Sequence, residues 1–381
     1  MPLPKEIHQD FSSMKAILSF ALISIMPSFA FAADSGTNLT DVLPEQLLLK
    51  DFRPRSIYRV PATTIAKARF PVIDAHSHPL YAKTEAELDK WVRTMDELGV
   101  EKTIVLTGAT GEKFEEIVAL YRKYPDRFSM WCGLDYTDFD KPGFETNAVA
   151  ALERCHKSGA KGVGELSDKG GGLTGNAAHS HLHIDDPRLA PVIEKCGELK
   201  MPINIHVAEP IWMYEPMDKY NDGLMNAFKW RLDNQTNILG HAEVVATLER
   251  AAKAHKNTTF IACHFANCCY DLSIIGRMLD ACPNLNADIA ARYAETAPVP
   301  RSMASFYEKY QDRLLYGTDL SPRKEMYQTT FRILESEDEH FYDWTLSTYH
   351  SPLYGFGLSD PILKKVYGEN ARKILAAAGE K

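Results

Sequence analysis

Residues 71–80 read Pro71-Val-Ile-Asp-Ala-His-Ser-His-Pro-Leu80, and the reading of this stretch decides the rest. Pro71 to Ala75 is a short apolar run of the kind that forms a buried strand, with proline admitted at its first residue. His76 and His78 follow at its end. Side chains on a strand alternate faces, so residues two apart leave on the same side. Two neutral imidazoles so placed suit one divalent cation. Histidines satisfied by hydrogen bonds at a strand end show the same spacing, and two ligands do not make a metal site. The residues downstream decide between them.

Outward from this strand, strand-like and helix-like stretches alternate. Residues 84–98 read as a helix, with Thr84 as N-cap, Glu87 three residues on and Gly99 past the end. Further strands are expected over 102–107, 127–134, 159–167, 202–207, 258–265, 285–291 and 313–320. Helices are expected over 112–124, 144–157, 187–199, 241–255, 272–282 and 301–310, with helical patterns to Ala378. Eight strand-then-helix units predict a parallel sheet closed into a (β/α)8 TIM barrel, with extra C-terminal helices. The alternative, an open doubly wound sheet, lacks the Gly-x-Gly-x-x-Gly that a dinucleotide fold carries after its first strand. Residues 208–240 form a long insertion after strand five, the length of a lid or binding loop. Trp212, Tyr214, Tyr220 and Trp230 within it suit an aromatic rim or the insertion's own packing.

Catalytic groups in such barrels stand at the C-terminal ends of strands. The polar residues there are His76 and His78 (strand one), Glu165 (four), His206 (five), His264 (six), Arg292 (seven) and Asp319 (eight). Buried polar side chains are costly unless paired or bound. Histidines and a carboxylate converging on one mouth match the donors expected for zinc or a similar ion. Arg292 suits either a clamp on a substrate carboxylate or an ion pair with Glu295. Asn267 and Asp271 have the chemistry to start a helix. His179, His181 and His183 are spaced like a metal cluster, but in a Gly-rich loop they more often lie solvated.

Composition bounds the partners. The net charge of −8 argues against nucleic acid or an anionic membrane as the main partner and leaves a small-molecule substrate, with a homo-oligomer compatible. Lys15, the apolar run from Ala16 to Met26 and Ala30-Phe-Ala32 have the order of a secretory signal. Translation from Met14 instead of Met1 gives a more compact version of it. The apolar run is too short to span a bilayer. Residues 1–33 are therefore read as a signal peptide, 34–70 as a lead-in and 71–381 as one domain, secreted or periplasmic, free of the membrane after cleavage. N-terminal sequencing of the exported protein is expected to start at about Ala33 or Asp34, from the A-x-A rule; a mature protein beginning at Met1 or Met14 would refute export. The seven cysteines lack a Cys-x-x-Cys pair and do not form a disulfide framework for a chain of this size, though a bridge from Cys268 or Cys269 suits an oxidising compartment.

Beyond the signal, the chain resembles the amidohydrolase superfamily, specifically the amidohydrolase-related family 2 group of metal-dependent barrel hydrolases. The resemblance rests on Pro71-Val-Ile-Asp-Ala-His-Ser-His78, Asn204-Ile-His206, Ile261-Ala-Cys-His264 and Tyr316-Gly-Thr-Asp319, with Tyr354-Gly-x-Gly and Tyr367-Gly-Glu-Asn-Ala-Arg near the C-terminus. It implies that His76, His78, His206 and Asp319 ligate the metal, zinc being the first choice and one ion favoured over two. His264 would act beside the substrate as acid, base or electrophile, and Asp319 would also carry the proton. Where binuclear members use a carboxylated lysine at the end of strand four, this chain has Glu165, a catalytic candidate; Lys161 lies at the start of that strand. The implied activity is attack of a metal-activated water on an amide, ester or lactone. The same resemblance covers metal-dependent non-oxidative decarboxylases of aromatic or unsaturated acids. A barrel that only binds a ligand is the third reading, and the intact ligand set counts against it.

Overall fold

The computed structural model describes residues 43–175, 181–320, 322–344 and 350–380; the signal region lies outside them. Eight parallel strands follow one another round a single sheet: β1 Val72–Ser77, β2 Val100–Leu106, β3 Phe128–Cys132, β4 Gly162–Asp168, β5 Ile203–Val207, β6 Phe260–Ala262, β7 Leu285–Asp288 and β8 Leu314–Leu315. The ring closes because Ala75 N–H donates to Tyr316 O at 2.8 Å and Asp319 N–H donates to His76 O at 2.8 Å. Those bonds bring β8 back to β1 and exclude the open sheet. The architecture is a (β/α)8 TIM barrel.

Helices α1 (Glu85–Leu98), α2 (Gly111–Tyr121), α3 (Phe144–Lys157) and α4 (Ala190–Glu198) follow the first four strands. In the insertion after β5, Leu224–Ala227 forms the one-turn helix α5, and α6 (His241–Ala254) then covers the barrel. After β6 comes α7 (Leu272–Ala281), after β7 the short α8 (Tyr293–Thr296) and α9 (Pro300–Tyr310), and after β8 α10 (Lys324–Glu335). The start of α1 shows how local sequence sets a boundary. Thr84 Oγ1 accepts from Glu87 N–H at 3.3 Å, Glu87 returns to Thr84 N–H at 3.0 Å, and Gly99 ends the helix at φ 80°. Among the described residues no helix is long and apolar enough to cross a membrane.

The barrel interior is packed by Ile73, Ala75, Ile104, Leu106, Trp131, Ile261 and Leu315. Ala371 and Leu375 join them from α12 (Asn370–Ala377), which follows α11 (Asp360–Lys364). Beyond α12, Glu380 bonds Ser129 at the start of β3 and pairs with Lys102 at 3.0 Å near the start of β2. The C-terminal segment thus plugs the N-terminal end of the barrel and leaves the chemistry to the opposite mouth. Gly162 is required by this packing, since a Cβ there would lie 2.4 Å from the Trp131 ring. Gly162→Ala is expected to cost about 1–3 kcal/mol by overpacking, read as a lower midpoint in denaturant unfolding; an unchanged midpoint would mean that the indole has room to move.

Two expectations are corrected by the backbone. Strand six was expected to reach Phe265 and strand eight to run over 313–320, but β6 stops at Ala262 and β8 holds two residues. Past β8, Tyr316 N–H donates to Val366 O at 2.9 Å and not to a neighbouring strand; past β6, His264, Phe265, Ala266 and Asn267 have φ between 53° and 59°. A left-handed residue ends a strand.

Candidate active site

Seven of the twelve positive-φ non-glycine residues among those described lie at the C-terminal ends of β5 to β8, where Ala208 (φ 59°), the run from His264 to Asn267, and Ala291 and Asp319 (both φ 53°) redirect the chain. Non-glycine residues in this region cost on the order of 1 kcal/mol or more, and such strain clusters at functional sites. Here it accompanies a tight side-chain constellation.

Glu165 lies at its centre. Its Oε1 is 3.0 Å from His206 Nδ1, 3.4 Å from His264 Nε2 and 3.7 Å from His76 Nε2, and its Oε2 is 3.5 Å from His78 Nε2. Asp319 closes the far side, with Oδ1 2.9 Å from His78 Nε2 and 3.6 Å from His76 Nε2, and Oδ2 3.7 Å from His264 Nε2. His76 is fully buried, while the Asp319 side chain keeps 22 % exposure and faces the opening. The structure therefore brings together six of the seven expected site residues. Arg292 stands a step outward, its Nε and Nη2 donating to Asn267 Oδ1 at 2.8 and 2.6 Å. Arg292 also lies 3.6 Å from Glu295 and 3.7 Å from Glu209.

The backside bonds orient the rings. His76 Nδ1 lies 2.9 Å from Asp288 Oδ2, His78 Nδ1 3.0 Å from Leu106 O and His264 Nδ1 2.8 Å from Ala290 O. A carbonyl only accepts, so His78 and His264 carry their proton on Nδ1 and, when neutral, aim a lone pair inward from Nε2. The Nε2 atoms of His76, His206 and His264 are buried without a hydrogen-bond partner, and that of His78 meets only Asp319 Oδ1. Buried imidazole nitrogens left this way beside carboxylates are costly unless something binds them, and a divalent cation fits. Two groups of donors at the mouth lie close enough to share an ion, His76, His78 and Asp319, and His76, Glu165 and His264; a third such group among the described residues, His76, Cys263 and Asp288, lies behind the His76 ring. His206 meets the centre through Nδ1 and turns Nε2 toward Glu209 Oε2 at 3.6 Å.

The charges agree with that donor set. Burial opposes ionisation of Glu165, but His76, helped by His206 and His264, holds its carboxyl well below the usual range. Burial likewise opposes the Asp319 charge, and His76 and His78 outweigh it, bringing the carboxyl down to about 2. For His76, Asp288 and Asp319 overcome burial and push the imidazolium well up; Asp319 does the same for His78. His264 moves the other way, since burial and then the Arg292 charge favour its neutral form. With Nδ1 committed to Ala290, neutral His264 offers a base or a ligand atom. An acid or electrophile at this atom needs a second proton on the ring.

Three residues of this neighbourhood, Asp288, Glu209 and its partner Lys169, were not singled out in the sequence. Asp288, fully buried, accepts from His76, from His264 N–H at 2.9 Å and from Asn204 Nδ2 at 3.1 Å. The expected strand ran to 291 and pointed at Arg292; β7 ends at Asp288, whose signal was a carboxylate inside an apolar run. Glu209 follows the left-handed Ala208, pairs with Lys169 and stands beside His206; burial opposes its charge, which Lys169 and His206 nevertheless stabilise. Other candidates fall away from the site. His183 bonds Asp168 at 2.7 Å, and His179 lies outside the described residues. Trp212, Tyr214 and Trp230 pack on Met213, Ala227 and Leu232 within the insertion, and Tyr220 is exposed. Asp271 caps α7, accepting from Ser273 N–H at 2.9 Å. All seven cysteines are buried and unpaired.

Comparison with known proteins places this geometry. A family model described as amidohydrolase, of the amidohydrolase 2 type, matches residues 65–376. No curated protein matches the chain. Among solved structures, an uncharacterised TIM-barrel protein from Bordetella bronchiseptica is similar at 14% identity and a TM-score of 0.51, covering 82% of this chain and 100% of that one. The 5-carboxyvanillate decarboxylase LigW from Sphingomonas paucimobilis is similar at 12% identity and a TM-score of 0.50, covering 81% of this chain and 99% of that one. At such identities the structures speak for the fold alone. The family match runs from before β1 to the last helix and takes in every strand that contributes to the mouth, so the chain belongs to the amidohydrolase 2 family.

Proposed function

We propose that the protein is a metal-dependent hydrolase that attacks an amide, ester or lactone carbonyl of a small molecule, after export across a membrane. The observation that carries this reading is the convergence of the buried Nε2 atoms of His76, His78 and His264 on two ionised carboxylates, Glu165 and Asp319. His76, His78 and Asp319 would hold one ion, with His206 and Glu165 completing its surroundings; zinc is the first choice for such donors. When bound, the ion would supply a Lewis acid and make hydroxide available near neutral pH. Asp319, ionised and open to the mouth, would take the proton of the attacking water and return it to the leaving group. Glu165 would balance the charge of the histidines. His264 would act through its free Nε2 as a base.

A second reading, non-oxidative decarboxylation, is favoured by Arg292 and Lys169 at the mouth, where cations suit a substrate carboxylate. LigW, which shares the fold, is named as a decarboxylase. The metal-loaded protein should be offered amides, esters and lactones beside aromatic carboxylic acids, with hydrolysis products and carbon dioxide both measured. Hydrolysis without carbon dioxide supports the first reading, and carbon dioxide release the second. Turnover of neither class by fully loaded protein counts against both.

Metal binding should release protons. Carboxylates raise the proton affinity of His76, His78 and His206 above the ordinary imidazole value, although burial opposes it. Ligands must be neutral to bind an ion. Affinity is therefore expected to fall as pH drops through the raised histidine values and to rise above them. Calorimetric titration of zinc in two buffers of different ionisation enthalpy tests this; identical heats would show that no proton leaves.

A further inference from the structure

Residues 44–60 present apolar surface that no other described residue covers. Thirteen large apolar side chains are exposed among the described residues, and seven lie in this stretch, including Leu47, Leu49, Phe52, Tyr58 and Ile57, the last at 85 % exposure. Apart from the short turns Pro44–Gln46 and Leu49–Asp51, the segment has no helix or strand. It is held at a few points along one loop. The Arg53 guanidinium lies 4.9 Å over the Trp344 ring, and Ser56 Oγ is 3.2 Å from His340 Nδ1. The Tyr58 ring meets His340 edge-on at 4.7 Å, and Thr63 bonds Asp338. An extended arm is thus laid along the body with its apolar side chains outward. Contiguous exposed apolar surface of this kind marks an interaction site.

Beside the same loop runs a shallow groove lined by Pro300, Ala304, Tyr354 and Phe356, with the carboxylates Glu337, Asp338 and Glu339 against one cation, Arg301. Val299 next to it is 45 % exposed, and Glu337 and Glu339 are exposed carboxylates. The arm is basic: Lys50, Arg53, Arg55 and Arg59 stand against Glu45 and Asp51, a net +2 in a chain whose total is −8. Apolar and basic in the arm, apolar and acidic in the groove, the two surfaces are complementary.

We infer that the 44–60 arm of each chain docks in the acidic groove of a second copy, giving a homodimer with reciprocal arm exchange. A two-fold axis makes such a contact twice, which brings two arms and two grooves into one interface. An anionic lipid surface also attracts basic apolar segments, but those that lie in it are amphipathic helices. An extended arm would bring unpaired backbone N–H and C=O groups to the lipid. A protein groove can pair them.

The test is sedimentation velocity of the full chain at micromolar concentration, beside flotation with vesicles of phosphatidylglycerol and phosphatidylethanolamine. Wild type is expected to sediment as a dimer. Leu49→Asp with Ile57→Asp is expected to raise the dimer dissociation constant at least tenfold while leaving the thermal midpoint unchanged at dilutions where both proteins are monomeric, because both side chains are solvent-exposed in the monomer. Glu337→Lys with Glu339→Lys is expected to weaken the dimer similarly, and combination with Arg55→Glu and Arg59→Glu to restore it. A monomeric wild type, a dimer indifferent to the arm substitutions, or vesicle binding by a monomer would each overturn the proposal, the last assigning the arm to a lipid surface.

Discussion

Asp319→Asn is expected to lower kcat/KM roughly 10²–10⁴-fold, the usual contribution of a positioned base. The substitution keeps the shape of the side chain and removes its charge. Asp319 is the carboxylate that His76 and His78 hold ionised at about 2, and it is the group of the constellation with an open side. An amide at 319 is almost non-basic and would take no proton from water. Its carbonyl oxygen can still face His78, so metal content should fall less than activity. The check is metal analysis and turnover on one preparation, with a circular-dichroism melt to verify folding. A variant that turns over like wild type would remove Asp319 from proton transfer. One that loses metal and activity in equal proportion would make it a ligand only.

His264→Asn is expected to be nearly as damaging, by roughly 10²–10⁴-fold, if its Nε2 acts as a base. The asparagine can imitate the Nδ1 bond to Ala290 O through its amide but offers no basic nitrogen at the mouth. His264 is kept neutral by burial and by Arg292, so its function is available without first losing a proton. Metal content should remain near that of wild type, because His76, His78 and Asp319 form a donor group without it. His76→Ala is the control, removing a member of both donor groups. Should His264→Asn lose its ion as completely as that control, His264 belongs to the coordination sphere, and the second group, with His76 and Glu165, is the one that binds.

The contrast between Asp319 and Asp288 shows which site features a linear sequence displays. Asp319 closes the motif Tyr316-Gly-Thr-Asp319 at a strand end, where a polar residue stands out against apolar neighbours. Asp288 performs the backside orientation of His76 and bonds the His264 backbone, yet in sequence it is one carboxylate in a run whose strand was expected to continue. Second contacts of this kind join residues 212 and 24 positions apart, and no local period encodes them. Carboxylate partners behind metal-binding histidines matter, since their loss typically weakens metal affinity or activity 10–100-fold.

Local physics made most of the frame legible. The alternation of short apolar runs with amphipathic stretches specified eight strands and their helices, and Thr84, Glu87 and Gly99 marked the ends of α1 directly. Two residues per side-chain repeat on a strand placed His76 and His78 on one face. Six of the seven expected site residues converge because barrel strands all point their C-terminal ends the same way. What the tertiary structure alone decided follows from distance and desolvation. The left-handed backbone from His264 to Asn267 cut β6 short and set the His264 ring against Ala290, which determines which nitrogen faces the mouth. Glu165 became the centre of four imidazoles by closure of the ring, and Lys169 after β4 met Glu209 after β5, beside His206. The strand pattern needs only nearest neighbours in sequence; the charge state and orientation of a buried group depend on what the fold packs around it from every side.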